Sequence, residues 1–181
     1  MLFSTLISSL LVTVVTANPT RRDVTSIKAA LDAISRQLVT MNATLNGFNG
    51  GAEGTLTALK IQGQAMDLQK DIQSGTSAAK SSGPLNDRDS STIAFGITDL
   101  TGKIYDVLDN IITKKPAFDT AIFGVGSASF LVRSDLQNLK NDTDLFGAAV
   151  TEKLVKSVRD VSPLVISAID FHFDQALKVY A

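Results

Sequence analysis

From Val24 onward the apolar residues of this chain fall at Val24, Ile27, Leu31, Ile34, Leu38, Met41, Leu45 and Phe48, at intervals that alternate between three and four. Only an α-helix brings residues at that spacing onto one face; a strand would repeat every two. The stripe therefore predicts an amphipathic helix of about seven turns at 3.6 residues per turn. Asp23 is its expected N-cap, and the glycines between Gly47 and Gly51 end it. One apolar stripe in water must be covered by other elements, so the rest of the chain has to supply partners.

The same period recurs. A second helix, 53–81, carries Ala58, Ile61, Ala65, Leu68 and Ile72 and is closed by Ser81-Ser82-Gly83-Pro84. A third opens after Asn86-Asp87, presents Ile93, Ile97, Leu100, Ile104, Val107 and Ile111, and stops at Pro116. A fourth is expected from Phe118 through Ile122, Val125, Ser129, Val132, Leu136 and Leu139, ending at Asn141. A fifth should start at a cap on Thr143 or Asp144 and reach Val179. Within it Pro163 either kinks one long helix or opens another, and the kink is the expectation. No segment alternates like a strand. The fold predicted is all-α: an up-and-down antiparallel bundle of about five long amphipathic helices.

The first residues have another character. Met1 to Ala17, MLFSTLISSLLVTVVTA, has no charged side chain, an apolar centre, small residues at Val15 and Ala17, and Asn18-Pro19 behind it. These are the features of a secretory signal peptide, and the stretch is short for a membrane span. Residues 18–22 then form a short exposed segment, with Arg21-Arg22 either two solvated charges, the reading preferred, or a second, dibasic processing site, and 23–181 form a single helix-bundle domain. Asn42-Ala43-Thr44 and Asn141-Asp142-Thr143 are glycosylation sequons, Asn141 being placed in an inter-helix loop. The chain stops at HFDQALKVYA, without a Ser/Thr-rich stalk or apolar tail, so neither a lipid anchor nor a transmembrane anchor is expected.

Composition narrows the chemistry. The chain has no cysteine, one histidine, and 17 basic against 18 acidic residues. Disulfides, thiol catalysis and cysteine-ligated metals are excluded, and a nucleic-acid partner would need a basic surface that this balance does not give. His172, flanked by Asp170 and Asp174, has neither nucleophile nor cleft in the sequence and reads as a packed side chain. The acidic runs at Asn86–Asp89 and Asn141–Asp144 lack the glycine and terminal glutamate of a calcium loop and read as helix caps. No catalytic residue, metal or cofactor is expected, and the chain is not expected to be an enzyme. In the fourth helix, Gly124, Gly126, Ser127, Ala128 and Ser129 concentrate small residues on an apolar face, with Ser129 at a seam position that would bury its hydroxyl. Gly96 and Gly102 add to them on the third helix. Such residues either let a neighbouring helix come close or leave room for a ligand, and spacing does not choose between the two.

The stretch YDVLDNIITKKPAFDTAIFG, from Tyr105 to Gly124, resembles the fungal hydrophobic surface-binding protein A family, which includes the cell-wall galactomannoproteins of moulds. Lys114-Lys115-Pro116-x-Phe118 and LKNDTDLFG, from Leu139 to Gly147, are similar to its inter-helix turns. The resemblance covers the chain from Asp23 on and implies an extracellular bundle that adsorbs to hydrophobic surfaces or encloses a fatty acid between its helices. The alternative role it implies is a surface-adsorbing adaptor or cell-wall mannoprotein that recruits secreted hydrolases and is held at the wall without a covalent lipid. The seams supply the candidate lipid contacts: Leu31, Leu38, Ile97, Leu100, Ile104, Phe118, Ile122, Val125, Gly126, Ser129 and Val132. The signal-peptide reading makes one direct prediction: mass spectrometry of the secreted product should find a chain that begins at Asn18, or at Asp23 if Arg21-Arg22 is processed, and a secreted chain that retains Met1–Ala17 would refute it.

Overall fold

The computed structural model describes residues 19–123 and 126–181, so the expected signal peptide and the readings at Gly124 and Val125 lie outside the described residues. Within them are five long helices, α1 (Pro19–Asn46), α2 (Gly51–Ser81), α3 (Asp87–Thr113), α5 (Ser129–Thr151) and α7 (Ser162–Val179), with two short ones, α4 (Lys115–Asp119) and α6 (Lys156–Arg159), in the connections. The first three lie where the periodicity puts them. Ile27, Leu31, Ile34, Leu38, Met41, Leu45 and Phe48 are all buried, as the alternating spacing requires. Asn86 caps α3, its side-chain oxygen accepting from the Asp89 backbone N–H at 2.9 Å. Asp23 is not a cap, because helical backbone already begins at Pro19 and takes in residues 19–22 of the expected exposed segment.

The second half departs from expectation. No single helix joins Phe118 to Asn141. After α4 the chain turns back on itself: Ile122 and Gly126 exchange backbone hydrogen bonds at 3.0 Å, and Phe123 has a φ of 50°. Asp119 pins the base of this turn, accepting from Lys115 Nζ at 2.7 Å, Ser127 Oγ at 3.0 Å and Ser129 Oγ at 2.7 Å. Those bonds hold its carboxyl down at a pKa of about 2, the Lys115 bond contributing most. The helix that begins at Ser129 then passes straight through Asn141–Asp144. These residues are no cap, since the neighbouring helix satisfies them: Asp142 accepts from Gln69 at 2.8 Å and from Gln73 at 2.9 Å. Asn141 is thus exposed on a helix, not in a loop, and LKNDTDLFG is helical throughout. The real break follows Thr151. Pro163 does not kink a helix; it sits in the first turn of α7, where its missing N–H costs nothing.

The order of packing differs from the order along the chain. α1 packs on α2 and α3, α2 on α5, and both α3 and α5 on α7, so the five long helices close a ring α1–α2–α5–α7–α3. Side-chain pairs fix the directions. Gln62 with Asp135 and Gln69 with Asp142 advance together, so α2 and α5 run parallel. Asn110 bonds Asn42 and Asn46 near the ends of α3 and α1, and Tyr105–His172 and Ile111–Tyr180 advance together along α3 and α7. Consecutive long helices alternate in direction, as the up-and-down expectation has it. The links α2→α3 and α3→α5 instead cross the ring, one at each end, and lay chain over it. Leu85 is buried under the first and Phe118 under the second.

The KKPAF junction is built for that crossing. Lys114 Nζ donates to the carbonyls of Asn46 and Phe48 at 3.2 and 2.7 Å, completing the C-terminal end of α1. Lys115 lies 5.5 Å from the centre of the Tyr180 ring as well as on Asp119. Phe118 meets Phe48 at 4.7 Å and Tyr180 at 6.1 Å between ring centres. Gly50 makes the tight approach possible. Its φ is 74° and its ψ −154°, a region essentially reserved for glycine, and a Cβ there would lie 2.4 Å from the Ala117 carbonyl oxygen. Gly50→Ala should therefore destabilise the fold by about 2–4 kcal/mol, backbone strain and overlap together. Chemical denaturation checks this, and a loss below about 0.5 kcal/mol, the level of an ordinary surface change, would contradict it.

Candidate functional site

Five helices in a ring cannot meet at the axis. With interaxial distances of about 9–10 Å, each axis stands about 8 Å from the centre, beyond the ~5–6 Å radius of an average helix with its side chains. Only large inward side chains can occupy that space, and here they do so incompletely. A central void of about 40 Å³ remains, lined from all five long helices, with Leu38, Leu68, Ile104, Leu136 and Phe173 contributing one wall each.

Two larger cavities flank it. One, of about 300 Å³, lies between α2, α5 and the turn that follows α4, with Phe118, Ile122, Ala128 and Val132 in its wall. It opens beside Leu59 and Phe123, which line it and are 60% and 73% exposed. The other, of about 160 Å³, lies between α3, α5, α6 and α7, with Ile97, Leu154, Val158 and Ile169 in its wall, and opens beside the exposed Val161. The central void shares Met41, Ile111, Leu136 and Leu139 with the first, and Leu100, Ile104, Thr143 and Phe146 with the second. The central void thus shares side chains with both end cavities, and the lining of all three is overwhelmingly hydrocarbon. An apolar cavity of about 150 Å³ already stays dry and admits a benzene-sized molecule.

The structure distributes the candidate lipid contacts over this space unevenly. Leu100 and Ile104 stand between the central void and the smaller cavity, Ile97 lines the smaller one, and Leu38 lines the centre. Phe118, Ile122 and Val132 line the larger cavity. Leu31 lines none of them; it is buried on α1, where a Cβ on Gly96 would come within 3.1 Å of its Cδ1. Gly96 thus marks a close helix contact, while a Cβ on Gly102 would meet nothing within 4 Å. Gly126 is held in the turn by Ile122, and the Ser129 hydroxyl is not buried in a seam but bonded to Asp119. The small residues of 126–129 therefore neither bring two helices together nor form a helical cavity wall: they make a turn, and of them only Ala128 faces the larger cavity. Asn42 is half-buried, its Oδ1 accepting from Asn110 at 2.8 Å. His172 stacks on Tyr105 with ring centres 3.7 Å apart and its Nδ1 3.8 Å from Asp109, the packed side chain expected.

Sequence reasoning missed the wall supplied by Leu154, Val158, Val165 and Ile166, because the expected fifth helix runs through the break at 152–155. It also missed the polar residues in the lining. Asp135 faces the larger cavity with Thr55 and Gln62, and Gln62 Nε2 donates to its Oδ1 at 3.1 Å. Burial pushes the Asp135 carboxyl up, against the lowering effect of that bond. Asp144 lines the smaller cavity beside Thr143, Thr98 and Thr101. Its pKa is raised to about 6, first by desolvation and then by Asp170, with Lys140 opposing. Lys140 itself lies 3.2 Å from Asp170 and 3.3 Å from Asp174. Among the described residues no group of three His, Asp or Glu side chains could hold a metal ion, and no helix is long and apolar enough to cross a membrane.

A ring of amphipathic helices thus surrounds an apolar, partly unfilled axis. The chain belongs to the hydrophobic surface binding protein A family, whose model matches residues 24–152. Cell wall mannoprotein 1 of Aspergillus flavus is 25% identical over 150 residues, covering 83% of this chain and 51% of that protein. Its namesake in Aspergillus fumigatus is 25% identical over 182 residues, covering 99% and 60%. The chain thus spans between half and three-fifths of the length of these curated relatives. Among solved structures, Afmp4p in complex with palmitic acid superposes with a TM-score of 0.81 at 28% identity, over 87% of this chain and 99% of that one. Ligand binding domain 2 of the Penicillium marneffei MP1 protein, complexed with multiple arachidonic acids, superposes at 0.78 over 88% and 97%, and at 19% identity it shows the fold alone.

The raised Asp144 carboxyl makes a pH prediction. Its folded pKa of about 6 exceeds the ordinary value of 3.8, so the folded state binds this proton more tightly. The stability it contributes is complete below pH 3.8 and is lost as pH rises through about 6. Asp144→Asn should therefore stabilise the fold at pH 8 by roughly 1 kcal/mol, after discounting for the group's partial exposure, and change little at pH 3.5. Melting temperatures at the two pH values check this, and a destabilised variant at pH 8 would contradict it.

Proposed function

We propose that this chain is an extracellular lipid-binding protein that takes a long acyl chain into the interior of its five-helix ring, and that it acts as a binder, not a catalyst. The observation that carries this reading is the succession of three apolar voids along the ring, the central one sharing wall residues with the cavity on either side. Unfilled volume is costly: at about 24 cal/mol per Å³, a 300 Å³ cavity represents up to roughly 7 kcal/mol of packing not realised. A hydrocarbon that fills it restores those contacts and leaves water at the same time. The likeness to Afmp4p, seen with palmitic acid, supports the same reading, and the mannoprotein relatives support an extracellular or cell-wall setting.

A second reading rests on a separate observation. Leu59 and Phe123, at the mouth of the larger cavity, are joined by the exposed Leu56, one turn from Leu59, and Phe130, in the first turn of α5. Large apolar side chains left exposed suit adsorption to a hydrophobic surface, the property in the family's name. Recruiting secreted hydrolases to a coated surface belongs to this reading.

Ala65 is buried on α2 and lines the larger cavity. Ala65→Leu should put its extra carbons where a ligand would lie, weakening palmitic acid binding about tenfold or more with the melting temperature equal or higher. Calorimetric titration of both forms is the test. Palmitic acid that binds neither form would refute the reading, and equal binding to both would exclude the larger cavity as its site. Unchanged adsorption to a hydrophobic resin in the same variant would assign that activity to the exposed rim.

A further inference from the structure

Among the described residues each end cavity has one ionisable side chain in its lining, and in both it is a carboxylate. In the larger cavity this is Asp135; the other polar side chains there are Thr55 and Gln62 from α2, while α1, α3, α4 and the turn after α4 contribute uncharged residues alone. In the smaller cavity it is Asp144, with threonines and Ser162 around it and no lysine or arginine in the wall. The groups acting on Asp144 are Lys140 from its own helix and Asp170 and Asp174 from α7, so three carboxylates face one ammonium. A fatty carboxylate drawn into either cavity would meet a like charge in a poorly solvated place, which costs energy or forces one of the two to take up a proton. A hydroxyl there has the opposite experience: it donates a charge-assisted hydrogen bond to the carboxylate.

We propose that the interior sites of this chain select acyl lipids whose head group carries no negative charge and offers a hydrogen-bond donor: a long-chain alcohol, a monoacylglycerol, or a fatty acid in its protonated form. Asp135 and Asp144 are the acceptors, and the rest of each cavity holds the hydrocarbon. Gln62 secures Asp135 by bonding one carboxylate oxygen, and Lys140 is held to α7 by Asp170 and Asp174. The upward pressure of burial on both carboxyls has the same origin, a site that disfavours negative charge. The proposal rests on the interior being the lipid site and adds the chemistry of the head.

Titration of the folded chain with 1-dodecanol and with dodecanoic acid, at pH 5 and pH 8, tests it. At pH 8 the alcohol should bind about tenfold or more tighter than the acid, and at pH 5 the gap should close to about threefold or less. In the combined variant Asp135→Asn and Asp144→Asn, the acid should bind tighter at pH 8 and the alcohol weaker, so that the preference shrinks about tenfold. The amide oxygen introduced at position 135 can still accept from Gln62, and if the variant does not fold, the pH comparison on the unaltered chain decides alone. Dodecanoate that binds as tightly as dodecanol at pH 8, or a preference unchanged in the folded variant, overturns the proposal with lipid binding intact. If neither ligand binds at either pH, the interior site itself falls, and the head-group chemistry with it.

Discussion

The geometry of five helices closing a ring governs the rest of this structure. Four such helices can meet along their shared axis, but five hold their axes too far apart, and the centre must be filled by side chains or left open. Leu38, Leu68, Ile104, Leu136 and Phe173 converge from the five long helices and still leave a void. The larger spaces appear where the ring is least regular: under the turn after α4, and beside the break between α5 and α7. The cavities are thus a property of the architecture, and the chain's irregular segments decide how large they are and where they open.

Those irregular segments are held by polar contacts, not by the apolar stripe. Asp119 gathers Lys115, Ser127 and Ser129 at the base of the turn, and Thr55 Oγ1 donates to the Ala121 carbonyl at 2.7 Å while accepting from the Phe123 N–H at 3.0 Å. At the other end Ser90, fully buried, accepts from the Val155 N–H at 3.0 Å, and Arg159 Nη2 donates to the Leu154 carbonyl at 2.7 Å. Backbone groups freed where the helices stop are satisfied by side chains from neighbouring elements. That is how a chain with no cysteine can leave hydrocarbon-lined space between its helices without losing a defined fold.

The all-α class, the first three helices and the cap at Asn86 were legible in the sequence, because a three–four stripe and an Asx cap are local signals. The second half was not, and the reason is specific. Phe118, Ile122, Val132, Leu136 and Leu139 keep helical spacing across a segment that is not one helix, because the turn returns the chain to the same face of the ring. Asn141–Asp144 carries the signature of a cap yet lies mid-helix, where Gln69 and Gln73 from α2 supply the bonds a cap would have found locally. Periodicity does not report such long-range partners. Candidate contacts such as Leu38, Ile104 and Phe118 line a cavity because a buried seam and a cavity wall share one apolar signature. Asp135 escaped notice because a charged residue on a helix ordinarily faces water, and Asp144 was hidden by its resemblance to a helix cap.

The central claim is that a ligand's hydrocarbon lies along the ring axis. Nuclear Overhauser effects between an isotope-labelled C16 acyl ligand and the methyl and aromatic-ring protons of the protein test it most directly. The account predicts contacts from the acyl chain to Ile104, Leu136 and Leu139, which stand between the voids, and to Phe146 and Phe173 beside them. Contacts confined to the exposed Leu56, Leu59 and Phe130 would place the ligand on the rim and contradict it.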